Sequence, residues 1–287
     1  NKDYVYWYEG VFKMVSGSTQ LIVTVNMSPV EPGNDLAKSI FKPNDYCILT
    51  SATLRTNLSF DYFLNRVGLN SFEFDDISSK VFESPFSYSD QVTYYQYSGN
   101  DGQRPDIIAK TILHCHKKFN KRMMVLFTSR AQLDNTHQIL KQISRSEHLP
   151  IFAQKRQTSR LGLIRGMGQV SNGILLGTNA FWEGVDLPGD LLEILIIIKM
   201  PFDVPTEPTV KAYGSMVESQ GGNSFMDYAL PESVIRFRQG FGRLIRTQYD
   251  DGIFIVMDDR IINKRYGIAF SETIPVQMQV FQRFNDI

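Results

Sequence analysis

Residues 194–198 form an uninterrupted run of five aliphatic side chains. Successive side chains of a strand point to opposite faces of its sheet, so a strand made only of aliphatic residues must be covered on both faces. The run is also far too short to cross a membrane as a helix. It therefore predicts a central strand in a sheet that has helices on both sides.

From about Arg104 onward, short apolar runs alternate with segments of helical periodicity. Helices predicted around 107–112, 131–143, 160–165 and from Pro231 onward alternate with strands predicted at 123–127, near Ile151, and at 174–176, 193–198 and 253–256. This order is typical of βαβ units around a parallel sheet. The sequence therefore indicates an α/β fold.

The first eighty residues do not follow this alternation. Residues 20–27 alternate like a strand, but several turn-forming residues interrupt the next stretch of chain, namely Pro29, Pro32, Gly33 and Pro43. We therefore expect a segment at 1–79 that packs as a partial appendage, and one complete domain at 80–287.

Composition excludes several classes of function. Lysine plus arginine and aspartate plus glutamate both number 30, so any contact with a polyanion must be local. Two cysteines, Cys47 and Cys115, fit a reduced compartment and are too few for an iron–sulfur cluster or a four-cysteine zinc site. His114 and His116 lie two residues apart, on different sides of a helix, which disfavours a metal site.

The amino terminus has neither the charged nor the apolar region of a signal peptide, so we expect a cytoplasmic protein. The sequence begins at Asn1 rather than at a methionine, which leads us to expect a fragment or a processed product.

The most informative stretch is 231–246, which has the spacing of a helix with one apolar and one cationic face. The apolar face carries Val234, Phe237, Phe241 and Leu244, and the other carries Arg236, Gln239, Arg243 and Arg246. Gly240 and Gly242 each cost about 1 kcal/mol relative to alanine inside a helix, which indicates that some group approaches the backbone closely. A phosphate is one candidate, and a solvated arginine face is the alternative.

A second stretch, 177–189, directly follows an apolar strand, and ligands of α/β sheets bind beyond such carboxyl ends. Glu183 and Asp186 either accept hydrogen bonds from a ribose or from arginines, or cap the loop. Phe181 and Trp182 either stack on a base or pack in the core.

Two further strands are predicted to end in hydroxyl residues. Residues 48–54 read as an apolar strand that ends near Ser51 and Thr53, and the strand at 123–127 leads to Thr128 and Ser129 at the start of a helix. These hydroxyls either contact phosphates or cap local backbone groups.

The chain has no Gly-x-x-x-x-Gly-Lys-Ser/Thr loop and no acidic pair placed to hold magnesium after a strand. Without these groups the chain has no evident means of holding the β and γ phosphates of a nucleotide.

Taken in their order along the chain, these stretches resemble the late motifs of superfamily 2 helicases of the DinG and XPD group. Residues 51–53 resemble motif III, 125–129 motif IV, 177–186 motif V and 239–246 motif VI. Connecting pieces are also DinG-like, at 83–86, 200–202, 222–225, 228–231 and 266–267. The resemblance runs from about Trp7 nearly to the carboxyl terminus.

In that family two RecA-like domains clamp ATP, and opening and closing of the cleft moves the motor along single-stranded DNA. The resemblance implies that residues 80–287 are the second, C-terminal RecA-like domain, and that 1–79 bears the motif III strand. The phosphate loop, most contacts to ATP and magnesium, and the first motor domain would lie upstream. The chain alone is therefore expected to be inactive as an ATPase and to hold no metal.

The resemblance also implies roles for individual residues. Arg243 and Arg246 would reach the γ phosphate and would be accessible and poorly paired in this chain. The remaining nucleotide-site residues would be Gln239, Glu183, Gly184 and Asp186. The single-stranded DNA path would include Ser51, Thr53, Thr128, Ser129 and Asn179. The alternative function is a DNA-binding or docking module of a DinG-like exonuclease with little or no helicase activity.

Overall fold

The computed structural model describes residues 3–56, 58–155, 158–178, 181–182 and 191–287. Contacts divide the chain into two compact units. Unit 1 comprises Asn1–Val81 and Phe202–Ser233, and unit 2 comprises Phe82–Pro201 and Val234–Ile287. Residues 202–233 fall within the second of the two domains expected from the sequence, and here they group with the first 81 residues.

The described residues form both strands and helices. The strands are β1 (Tyr4–Val15), β2 (Ser18–Pro29), β3 (Val92–Tyr97), β4 (Met123–Leu126), β5 (Ile151–Ala153), β6 (Ile174–Gly177), β7 (Ile194–Ile197), β8 (Gly252–Val256) and β9 (Met278–Phe281). The α-helices are α1 (Gly33–Leu36), α2 (Asp61–Arg66), α3 (Tyr88–Gln91), α4 (Pro105–Phe119), α5 (Arg130–Glu147), α6 (Arg160–Gly168), α7 (Pro208–Ser219), α8 (Leu230–Phe241), α9 (Arg260–Asn263) and α10 (Ile268–Ser271). Short π-helical segments occur at Ala37–Phe41 and Phe225–Ala229.

Unit 2 contains a parallel sheet in the order β5-β6-β4-β7-β8-β3-β9. The α/β fold expected from the sequence is confirmed. Strand β7 has three strands on each side of it, and all four of its residues are fully buried. The run of aliphatic residues thus forms the centre of the sheet, as its composition predicts.

Strands β3 and β9 are not among the strands predicted from the sequence. Strand β3 lacks an aliphatic run and instead buries Tyr94 and Gln96. The Gln96 amide is satisfied there, because it accepts from Tyr94 Oη at 2.9 Å and donates to the carbonyls of Tyr97 and Asp258 at 2.9 Å. Strand β9 is an edge strand whose middle residues are exposed, so its pattern does not mark it as a buried element.

Strands β1 and β2 of unit 1 form an antiparallel hairpin that includes the strand predicted at 20–27. The chain turns at Ser16 and Gly17, both with positive φ. One face of the hairpin carries apolar side chains that are all more than half exposed, namely Tyr6, Tyr8, Phe12, Met14, Leu21, Val23, Val25 and Met27. The hairpin therefore adds little to the buried core of its unit.

Helix α2 of unit 1 is held to the 202–233 segment by polar contacts. Tyr62 Oη donates to Glu232 Oε1 at 2.6 Å, and Arg66 Nε lies 3.5 Å from the same oxygen. The Arg66 guanidinium also lies 4.2 Å from the centre of the Tyr213 ring. Burial, together with the negative charge of Glu232, raises the pKa of the Tyr62 hydroxyl, so the tyrosine stays protonated as a donor.

Candidate functional site

The carboxyl ends of β4 and β6 lie side by side in unit 2. The two strands are parallel neighbours, and their last residues, Leu126 and Gly177, are register partners. Thr128 and Ser129 therefore emerge at the same edge of the sheet as Thr178. The starts of the two motif-bearing stretches thus lie at one end of the sheet.

The hydroxyl residues at this carboxyl edge make local contacts. Ser129 is exposed, and its side chain caps α5 by accepting from the N–H of Gln132 at 3.4 Å. Thr178 donates from its N–H and from its hydroxyl to Gln154 Oε1, at 2.8 and 3.0 Å. The helix-capping interpretation of Ser129 is thus confirmed, while Thr128 is half-buried beside it.

Aromatic residues beyond β6 pack inside unit 2. Phe181 is fully buried and Trp182 is 3% exposed, so the core-packing interpretation holds and neither ring faces solvent for base stacking. The other sequence-predicted residues of this stretch, Asn179, Glu183, Gly184 and Asp186, lie outside the described residues.

The ring of Trp182 explains one of the two glycines of the 231–246 stretch. A Cβ added to Gly240 would lie 2.8 Å from Trp182 Cζ3, closer than side-chain atoms pack. A Cβ added to Gly242 would meet Arg238 O at 3.4 Å, an ordinary contact. The close approach predicted from the sequence exists at Gly240, but the approaching group is an indole ring rather than a phosphate.

Arg243 is buried against the same tryptophan. Its side chain is 6% exposed, and its Nη2 donates to the carbonyl of Trp182. The expectation that Arg243 is accessible is therefore wrong. Helix α8 ends at Phe241, and Arg243 N bonds to Gly240 O at 3.2 Å in a turn, so helical spacing does not extend to either arginine.

Arg246 differs, because its side chain is exposed while its backbone is held. Asp250 Oδ2 accepts from the N–H groups of Arg246 and Thr247 at 2.7 and 2.8 Å, and Asp250 Oδ1 accepts from the Thr247 hydroxyl at 2.7 Å. Gln91 Nε2 donates to the carbonyls of Thr247 and Asp250 at 3.0 and 2.8 Å. We call residues 246–250 the arginine loop.

Opposing effects act on the Asp250 carboxyl group. Burial raises its pKa, but hydrogen bonds from the Thr247 hydroxyl and from the N–H groups of Arg246 and Thr247, together with the Arg246 charge, outweigh burial. The net result is a pKa below the ordinary value of 3.8. Asp250 is therefore a carboxylate across the neutral pH range.

The arginine loop lies at the amino edge of the sheet. One residue, Asp251, separates it from Gly252, the first residue of β8, and it bonds to Gln91, which directly precedes β3. The first residues of these two parallel strands, Val92 and Gly252, are register partners. The structure therefore puts Arg246 at the opposite edge from Thr128 and Thr178.

Sequence reasoning missed Gln91, Thr247 and Asp250. A carboxylate four residues after an arginine, with a threonine between them, is a pattern of side chains that cap a turn. That pattern indicates a turn but cannot identify the group that the turn positions. Gln239, which was predicted, is half-buried near the end of α8.

In unit 1, residues 48–50 belong to no strand, so the strand predicted to end at Ser51 and Thr53 is wrong. A strand needs a partner for its N–H and C=O groups, and the described residues provide none here; Ile48 is 91% exposed. The two hydroxyls face each other instead, with Ser51 Oγ 3.3 Å from Thr53 Oγ1.

Two structural findings concern metals and membranes. Within the described parts of the chain, no group of three or more histidine, cysteine, aspartate or glutamate residues could hold a metal ion. Burial raises the pKa of the Cys115 thiol to about 12, so this cysteine is not a thiolate ligand at neutral pH. None of the helices described above has the length and apolar character needed to span a membrane.

Comparison with solved structures supports the assignment of the fold. The chain superposes on an XPD helicase with a TM-score of 0.60 at 16% identity, covering 90% of this chain and 46% of that one. A structure of Xpd4 from S. tokodaii gives a TM-score of 0.58, covering 91% of this chain and 50% of that one. At such low identity the similarity concerns the fold alone, which is the RecA-like fold predicted from the motifs.

Sequence comparison identifies the family. The helicase C-terminal domain family matches residues 112–277. The 3'-5' exonuclease DinG of Bacillus subtilis is 36% identical over 261 residues, covering 88% of this chain and 28% of that protein. The ATP-dependent DNA helicase DinG of Photobacterium profundum is 33% identical over 265 residues, covering 90% of this chain and 38% of that protein.

The chain thus spans between a quarter and two fifths of the length of these relatives, at 28% and 38%. Because the family match extends over more than half of the chain, the chain belongs to the helicase C-terminal domain family.

Proposed function

We propose that this chain is the C-terminal half of an ATP-dependent DNA helicase or translocase. The observation that carries the proposal is Arg246, an exposed guanidinium on a loop whose backbone is fixed by side chains of unit 2. A permanently charged, planar group in a defined place suits the stabilisation of charge on a phosphoryl group. The family match and the relative named as an ATP-dependent DNA helicase support the same function.

The donor groups of this chain fit part of a nucleotide site. Arg246 would lie beside the γ phosphate, and Arg243 would join it after giving up its hydrogen bond to the Trp182 carbonyl. Gln239 would sense the nucleotide, with Glu183, Gly184 and Asp186 contributing from the loop after β6. ATP, when bound, supplies the phosphoryl group that passes to water.

The same proposal explains why the chain would be inactive alone. The sequence has no phosphate loop and no Asp-Glu-x-His motif after a strand, so magnesium and the β phosphate would be held by an upstream first motor domain. In that arrangement residues 80–287 are the second motor domain, and 1–79 precedes it with the motif III residues. The full protein would act in the cytoplasm.

The carboxyl edge of the sheet is the proposed part of the single-stranded DNA path. Thr128, Ser129 and Asn179 would contact phosphates there, and Ser51 and Thr53 would contribute from the preceding segment. Because the chain has no net charge, half of the path would bind DNA weakly and with an affinity that falls as salt rises.

A second function is favoured by one observation, since a relative at 36% identity is named a 3'-5' exonuclease. In this alternative the chain is a DNA-binding or docking module of a nuclease, with little or no helicase activity. Its arginines would then be irrelevant to turnover.

Substitution of Arg246 tests the proposal. In the full-length protein, Arg246→Ala should lower the turnover number of DNA-stimulated ATP hydrolysis roughly 10³-fold, as loss of other arginine fingers does, with little change in DNA affinity. Arg145→Ala is the matched control, since Arg145 is exposed in the last turn of α5. Unchanged turnover in Arg246→Ala, or DNA-stimulated hydrolysis by the purified 287-residue chain, would contradict the proposal.

A further inference from the structure

The backbone of the arginine loop is held by several hydrogen bonds, although four of its five residues are exposed. Both oxygens of Asp250 are used, and three donors of Arg246 and Thr247 converge on them at 2.7–2.8 Å. The Thr247 hydroxyl also accepts from Tyr249 N at 3.2 Å. The loop thus closes on itself around one carboxylate.

A second set of contacts ties this closed loop to the sheet. Gln91 ends α3 and directly precedes β3, and its amide reaches two carbonyls of the loop, those of Thr247 and Asp250. Strand β3 pairs with β8 on one side and with β9 on the other. The loop is therefore anchored both to the strand that comes after it and to the strand beside it.

These contacts act on the backbone of Arg246 and leave its side chain exposed. A guanidinium is useful for phosphoryl transfer only within a narrow range of positions, and a displacement of about 1 Å can cost roughly 10²-fold in rate. Fixing the N–H of Arg246 and the carbonyls of Thr247 and Asp250 limits motion of the loop, which is one source of such displacement.

We propose that Asp250 and Gln91 are positioning residues that hold Arg246 for its contact with the γ phosphate. This inference rests on the proposed function of Arg246. Neither side chain contacts the nucleotide, and each acts through the backbone of the arginine loop. Asp250 sets the shape of the loop, and Gln91 sets its place at the amino edge of the sheet.

The test is made in the full-length protein by steady-state DNA-stimulated ATP hydrolysis. Asp250→Ala should lower kcat about 10- to 100-fold, while KM for ATP and the affinity for single-stranded DNA change less than about two-fold. Asp250→Asn retains one acceptor oxygen and should recover part of the loss. Gln91→Ala should lower kcat about 10-fold, since it removes the anchor but not the closed loop.

Asp251→Ala is the matched control. Asp251 is the next residue after Asp250, but its side chain is 74% exposed and pairs with Lys121 outside the loop. It should keep the kcat of the unchanged protein. Equal kcat values for Asp250→Ala and Asp251→Ala would overturn the proposal. Should Asp250→Ala fail to fold, as judged by thermal unfolding, Gln91→Ala carries the same test.

A double substitution separates positioning from a general structural role. In a protein that already carries Arg246→Ala, Asp250→Ala should lower kcat no further, because no guanidinium remains to be positioned. A second, multiplicative loss would contradict the proposal. If Arg246→Ala alone leaves kcat unchanged, the proposed function fails; if Arg246→Ala is impaired and Asp250→Ala is not, only the positioning role fails.

Discussion

Arg243 and Arg246 lie in two regions of the chain that differ in which part of the arginine is held and which part is exposed. Around Trp182, the side chain of Arg243 is buried and bonded to a carbonyl. In the arginine loop, the backbone of Arg246 is bonded and the side chain is exposed. Two arginines three residues apart in one motif therefore differ in what they can do in this structure. Arg243 links α8 to the segment after β6, whereas Arg246 presents its guanidinium at the surface.

The largest expected effect on stability comes from removing the ring that forms the buried region. Trp182→Ala should lower the free energy of unfolding by about 3–5 kcal/mol, because it leaves a cavity against α8. Tyr249→Ala is the control, since the Tyr249 side chain is 94% exposed in the arginine loop and should cost less than about 0.5 kcal/mol. Denaturant unfolding measures both, and similar losses for the two variants would show that the regions do not differ in burial.

The two arginines are expected to contribute differently to stability. Arg243→Ala should lower the free energy of unfolding by about 1.5–3 kcal/mol, because the Trp182 carbonyl loses a charged donor in a buried place. Arg246→Ala should change it by less than about 0.5 kcal/mol, since that side chain is exposed. Thermal and denaturant unfolding of the 287-residue chain give both values. A larger loss for Arg246→Ala than for Arg243→Ala would reverse the assignment of the two regions.

What the sequence predicts well here is whatever depends on local composition. The aliphatic run at 194–198 predicts a central strand, because five adjacent aliphatic residues leave no face for solvent. The glycine at 240 predicts a close approach to the helix backbone, because glycine is unfavourable in a helix without one. Both predictions are confirmed, although the group that approaches Gly240 is a tryptophan rather than a phosphate.

What the sequence predicts poorly depends on distant partners. The apolar spacing of 231–246 continues through Leu244, which is 1% exposed, yet helix α8 ends at Phe241. The apolar periodicity therefore predicts correctly that Leu244 is buried, but it predicts incorrectly that Leu244 is helical. Residues 48–50 have the composition of a strand but no pairing partner among the described residues, and composition alone cannot supply one. Gln91 bonds to carbonyls that lie 156 and 159 residues away in the sequence, so no local pattern indicates these contacts.

Substitutions of Gly240 and Gly242 test whether the Trp182 ring packs against helix α8. Gly240→Ala should destabilise the chain by about 1–3 kcal/mol, since the new methyl group would overlap the Trp182 ring. Gly242→Ala should change stability by less than about 0.5 kcal/mol, because it meets only an ordinary contact outside the helix. Equal stability of the two variants in urea would mean that the indole does not pack against the helix.

The smallest expected effect is a pH dependence in the arginine loop. The pKa of Asp250 in the folded chain lies below the ordinary value of 3.8, so the carboxylate stabilises the folded state most fully above pH 3.8. That contribution is lost as pH falls through the folded-state pKa, where protonation removes the charge that attracts the three donors. The free energy of unfolding of the unchanged chain should therefore exceed that of Asp250→Asn at pH 7, and the difference should shrink on acidification below pH 3.8. Taking the difference between the two proteins cancels the other acidic groups. If this difference in the free energy of unfolding stays constant from pH 7 to the acid limit of folding, the pKa of Asp250 is not lowered in the folded chain. The negative charge of Asp250 would then not contribute to holding the backbone of Arg246.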